Sequence, residues 1–207
     1  MRLQRGFVRN GTRSLGRPIA GFVNVCPEAF NRMKASEISQ WEATIKHELI
    51  HAFVFSTSLF PKFPLAKGNP KKIGPMVVVP GVIEQFTRLD WETAEGITPH
   101  TVFMMVTPKV REEARNFFKC PDLEGAEIEN QGGNEAMSGV ATQVYALSRL
   151  TLALFEDSGW YIVNYAFSHQ RLVVFNSMVA SRLHTNMERT PGCTASDATR
   201  EFMALAQ

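Results

Sequence analysis

Between Ser36 and Phe55 the apolar residues Ile38, Trp41, Ile45, Leu49, Ala52 and Phe53 recur at intervals of three and four. That period predicts an amphipathic helix of about five turns, with this stripe expected to face a core. Ser36, or Ser39 with Glu42 three residues later, supplies the expected N-cap. Any fold this chain adopts must accommodate that one long helix.

The same helix carries His47-Glu48-Leu49-Ile50-His51, an H-E-x-x-H pattern. At about 100° per residue the two histidines differ by about 40° and share a face. The apolar stripe centred on Ile38, Ile45 and Leu49 lies nearly opposite, so the imidazoles are expected to turn away from the core. Two imidazole nitrogens one turn apart suit a zinc ion, each at about 2.0–2.1 Å. Glu48, beside them, is suited to take a proton from a zinc-activated water and pass it to the leaving amine. The bare pattern equally describes two solvated histidines on an amphipathic helix.

The rest of the chain alternates strands, helices and loops. Ile19 to Val25 reads as a buried strand ended by Cys26-Pro27, and Thr101 to Val106 as another. Residues Phe60 to Pro80 carry Pro61, Pro64, Gly68, Pro70, Gly74, Pro75 and Pro80, and read as an irregular functional loop. Thr107 caps a helix opened by Pro108 and running to about Cys120. A further helix is expected from about Gln143 to Asp157, with Val144, Leu147, Leu150 and Leu154 inward and Gly159 as its stop. A hydrophobic fraction of 44% is enough to bury a core. A net charge of +2 gives no reason to expect nucleic acid as a partner, and no apolar run is long enough to be a transmembrane segment. Cys26, Cys120 and Cys193 are too few and too scattered for a disulfide scaffold. Residues 1–16 hold Arg2, Arg5, Arg9 and Arg13 but also Gly6, Gly11 and Gly16, which predicts a flexible basic leader without a signal peptide.

The segment TIKHELIHAFVFSTSLF resembles the active-site helix of leishmanolysin-like metallopeptidases, the family that includes invadolysin. Four further blocks are similar to that family in the same order. They are Arg17 to Gly21 with Asn24 to Pro27, His100 to Val110, Cys120 to Gly133 (CPDLEGAEIENQGG), and Asn134 to Gly139 with Ser148 to Tyr161. The LEGAEIENQGG block is far more specific than H-E-x-x-H. The resemblance implies an α+β, metzincin-like catalytic domain at 17–165, with a long zinc-binding helix, an incomplete N-terminal sheet and a mainly helical second part. A divergent tail at 166–207 follows, where the resemblance ends. It further implies a zinc-dependent endopeptidase holding one Zn2+ per chain, acting on protein or peptide substrates. His47 and His51 match zinc ligands, Glu48 the catalytic glutamate, and Met137 the methionine of the Met-turn under the metal. Family members are found at membranes, outside cells and in cytoplasm.

The chain departs from the family in four places. The third histidine ligand follows the ENQGG stretch in the family, within a His-Trp-Glu segment, whereas here Gly133 runs directly into Asn134. The alternative reading is therefore an inactive isoform or fragment that acts through protein binding. His100, His169, His184, Glu127, Glu129 and Glu135 are the candidate substitutes, each otherwise expected at the surface. Val54 stands where metzincins place a glycine, so the helix is expected to continue through Phe55. The family's pro-segment and most of its first sheet are expected upstream of Met1. The resemblance is expected to stop near Tyr165.

Overall fold

The period-of-four segment forms α1 (Ile38–Phe53) in the computed structural model. The structure describes residues 2–7, 16–24, 34–74, 76–94, 96–128, 135–138 and 145–169. A short 3-10 turn, Ala35–Glu37, leads into the helix. Neither serine caps it. Glu37 instead accepts the Lys34 N–H at 3.0 Å, satisfying a donor at the helix entry.

Two strands, β1 (Arg2–Phe7) and β2 (Ala20–Asn24), pair antiparallel and pack beside α1. The leader expected to be flexible thus contributes a strand, because pairing with β2 supplies backbone partners that an isolated glycine-spaced segment lacks. Ile19, the first residue of the strand expected to be buried, lies just before β2 and is exposed. The proline-rich stretch is irregular except for a 3-10 turn at Phe60–Lys62 and the small hairpin β3 (Lys71–Ile73) with β4 (Met76–Val78).

The second part is not mainly helical. Its longest elements are β5 (Ile83–Thr93) and β6 (Gly96–Met105), an antiparallel pair to which β7 (Ala126–Glu127) adds a third strand. Helices α2 (Pro108–Phe118) and α3 (Arg149–Asp157) pack on one another, joined by the Arg149–Glu113 pair at 2.6 Å. The fold is mixed α+β. Its core gathers Ile50, Val54, Phe55 and Phe60 from the α1 end with Ile83, Met104, Met105, Leu123, Met137, Leu150 and Leu154.

Pro108 opens α2 as expected, but Thr107 gives it no side-chain cap. The cap comes from Asp157 at the far end of α3, whose carboxylate accepts from Lys109 N at 2.9 Å and Val110 N at 3.0 Å. A negative charge at a helix N-terminus that also meets two orphan donors is stabilising. Asp157→Ala is expected to cost about 2 kcal/mol, read as a lower urea midpoint with an unchanged m-value. Ser148 caps α3 by accepting from Thr151 N, and Gly159, at φ +71°, follows its C-terminal end. Gln143, Val144, Cys26, Cys193, the Gly133–Asn134 junction and the tail from residue 170 lie outside the described residues.

Candidate metal centre

The last turn of α1 sets the site. Its apolar stripe does not point into the core: Ile38 is 53% exposed, Ile45 39%, Leu49 37% and Phe53 44%. The opposite face is the buried one, with His51 only 3% exposed and Ile50 beside it in the core. The expected orientation of the helix is reversed. An imidazole can be buried when its polar atoms find partners, and both of these do.

His51 Nδ1 lies 2.7 Å from the Phe55 carbonyl oxygen, and His47 Nδ1 lies 2.7 Å from that of Ala136. A carbonyl only accepts, so each Nδ1 is the N–H donor, and each neutral ring keeps its lone pair at Nε2. The Phe55 acceptor exists because the helix stops at Phe53. Val54 leaves it at φ −149°, without a left-handed residue, and Phe55 N–H turns back onto Ile50 O at 3.0 Å. The further helical turn expected through Phe55 is absent, and with it the need for glycine at Val54.

The two Nε2 atoms face each other at 3.0 Å. Two nitrogen ligands of one tetrahedral ion stand about 3.4 Å apart when each bond is about 2.05 Å, so the spacing lies close to that of a shared cation. Two lone pairs held at this distance repel unless positive charge lies between them. Burial pushes His51 down from 6.5 to about 4, which favours its neutral ring and keeps its Nε2 lone pair available to a cation. The donor set therefore fits two ligands of a divalent metal, each oriented by a backbone carbonyl through its second nitrogen, a common outer-shell arrangement.

That burial also has a pH signature in the metal-free chain. The folded state resists protonating His51 down to about pH 4, whereas the unfolded chain takes up that proton near 6.5. Between those values the unfolded state binds more protons, so stability rises with pH. From pH 7.5 to 5 the His51 contribution falls by on the order of 2 kcal/mol. Urea unfolding at both pH values is expected to show this drop in the wild type and to lack it in His51→Gln.

Glu48 is half-buried on the next helical position after His47. Met137, fully buried, directly follows the Ala136 whose carbonyl receives His47. The Met-turn methionine expected from resemblance is thus one residue from a ring contact. No cluster of three or more His, Cys, Asp or Glu side chains able to hold a metal forms among the described residues. Of the candidate substitute ligands, Glu127 and Glu135 are buried rather than at the surface. His184 and Glu129 lie outside the described residues. Cys120 is buried, its thiol donating to Asp122.

Sequence reasoning missed both carbonyl acceptors, since nothing in a side-chain pattern marks Phe55 or Ala136. It also missed β5, whose segment Phe86-Thr87-Arg88-Leu89 shows no regular apolar/polar alternation and is held as a strand by its pairing with β6.

The Peptidase M8 (Leishmanolysin) family profile matches residues 11–187, beyond the Tyr165 limit read from resemblance. A Leishmanolysin-like peptidase of Caenorhabditis elegans is 42% identical over 177 residues, covering 72% of this chain and 26% of the relative. One from Drosophila melanogaster is 39% identical over 185 residues, covering 75% and 27%. A Leishmanolysin homolog of Crithidia fasciculata is 34% identical over 82 residues, covering 33% and 12%. The chain spans about a quarter of the length of the first two relatives.

Proposed function

Because the chain belongs to the leishmanolysin family of peptidases, we propose that it is a metzincin-like, zinc-dependent endopeptidase acting on peptide bonds of protein substrates. The observation that carries this reading is the pair of Nε2 atoms 3.0 Å apart, each ring tied by Nδ1 to a carbonyl. His47 and His51 would hold one Zn2+, which when bound supplies Lewis acidity toward a carbonyl and toward water. Glu48, half-buried at their flank, receives a proton on its carboxylate and returns it to the departing amine nitrogen. The exposed Ile45, Leu49 and Phe53, with Ala20 and Gly21 of β2, line a groove on the helix face away from the two imidazoles, and none of His47, Glu48 or His51 borders it. Gly21 keeps that groove close, since a Cβ there would stand 3.3 Å from Ala52. Among the described residues no helix is long and apolar enough to cross a membrane.

Cleavage of a quenched fluorescent casein by the purified chain tests the reading. Turnover that a chelator stops and added zinc restores supports it. A chain that binds zinc but cleaves nothing is instead the inactive isoform, for which the missing His-Trp-Glu segment is the remedy to try.

A further inference from the structure

We infer that Glu135 is a positioning residue for the metal centre, setting the ring of His47 through the peptide between them; this rests on the zinc reading above. The carboxylate is 3% exposed, an expensive place for a charge unless its oxygens are well partnered. They are. One oxygen accepts from Met137 N at 2.5 Å, and the other accepts from Thr151 Oγ1 at 2.7 Å and Ser148 N at 3.3 Å. Ser148 and Thr151 form the first turn of α3, so the carboxylate ties the Met137 turn to a helix N-terminus, where negative charge is favoured.

What is clamped between these bonds is Ala136. Its N–H donates to Ala146 O at 2.8 Å, and its carbonyl receives His47 Nδ1 at 2.7 Å. With Glu135 bonded to the N–H of Met137, the Ala136–Met137 peptide plane cannot rotate without breaking a short buried bond. The direction of that plane is the direction of the Ala136 carbonyl. It selects the His47 tautomer with hydrogen on Nδ1 and leaves Nε2 pointing at His51. The sequence marked Glu135 only as a candidate substitute ligand, not as a residue that orients His47. A purely structural role would also account for its burial, so the test must read the ring and not only the fold.

The readouts are the imidazole nitrogen chemical shifts of His47 in the full chain and its zinc affinity by chelator competition. Glu135→Ala removes both acceptors, and Glu135→Gln keeps one acceptor oxygen. Asp157→Asn serves as the comparison, since it disturbs a different, half-buried carboxylate that caps α2 and touches neither histidine. Glu135→Ala is expected to shift His47 away from the Nδ1–H form and to weaken zinc binding by about 10–100-fold. Glu135→Gln should show a smaller change in the same direction, and Asp157→Asn none. Circular dichroism identifies which variants are folded, and Glu135→Gln carries the test if Glu135→Ala is not. Unchanged nitrogen shifts and zinc affinity within about twofold of wild type in a folded Glu135 variant overturn the inference. Equal losses in Asp157→Asn do so too. A wild-type chain that takes up no zinc defeats the metal reading alone, because the nitrogen shifts still report whether Glu135 orients His47.

Discussion

Glu48→Gln is expected to lower peptide hydrolysis by about 10²–10⁴-fold while leaving zinc uptake unchanged. The amide has the shape of the carboxylate but neither accepts nor returns a proton at neutral pH. The proposed metal donors are the Nε2 atoms of His47 and His51, whose orientation depends on Ala136 and Phe55 and not on Glu48. The two properties should therefore separate. Initial rates on a fluorescent peptide together with metal analysis of the same sample check this. Full activity in the variant would transfer the observed cleavage to another protein, and loss of zinc would mean that Glu48 holds the metal or the helix.

Gly125→Ala is expected to destabilise the fold by roughly 3 kcal/mol or more, or to prevent it from forming. A Cβ at residue 125 would stand 2.1 Å from the Met105 carbonyl oxygen and 2.9 Å from its carbon. Both are backbone atoms at the end of β6, so no side-chain rotation relieves the overlap. Either β7 must leave the sheet or β6 must bend, and both changes break the Met105–Ala126 pairing above the core. Arg88 also bonds Glu124 at 2.6 Å and Arg111 bonds its carbonyl, so the neighbouring loop has little freedom to yield. Thermal unfolding monitored by circular dichroism would show the loss. A variant within about 0.5 kcal/mol of wild type would mean that the strand and loop move apart easily.

Gly125 also shows what the LEGAEIENQGG block encodes on its leading side. The glycine is there for close approach of two chains, a constraint that a linear motif displays but cannot explain. The helix of the histidines was legible for a different reason, because an apolar period and a four-residue spacing are local properties of one segment. Which way that helix faces was not. Amphipathicity assigns the apolar side to the core by default, yet here Ile38, Ile45, Leu49 and Phe53 remain exposed. His51 is buried instead because Phe55 and Ala136 offer it and His47 carbonyl oxygens. Those acceptors come from the backbone 4 and 89 positions away, where side-chain identity carries no signal. The strand at Arg2–Phe7 was hidden similarly, since its partner Ala20–Asn24 supplies what its own residues lack. Met137 was identified through resemblance, and the structure adds the Glu135 bond to its N–H.

The account depends most on the two opposed Nε2 atoms sharing a cation. Native mass spectrometry of the purified chain after dialysis against zinc, repeated on a His47→Ala, His51→Ala double variant, tests this most directly. The prediction is one zinc per wild-type chain, removed by chelator, and none in the folded double variant. Equal zinc content in both proteins, or none in either, would contradict it.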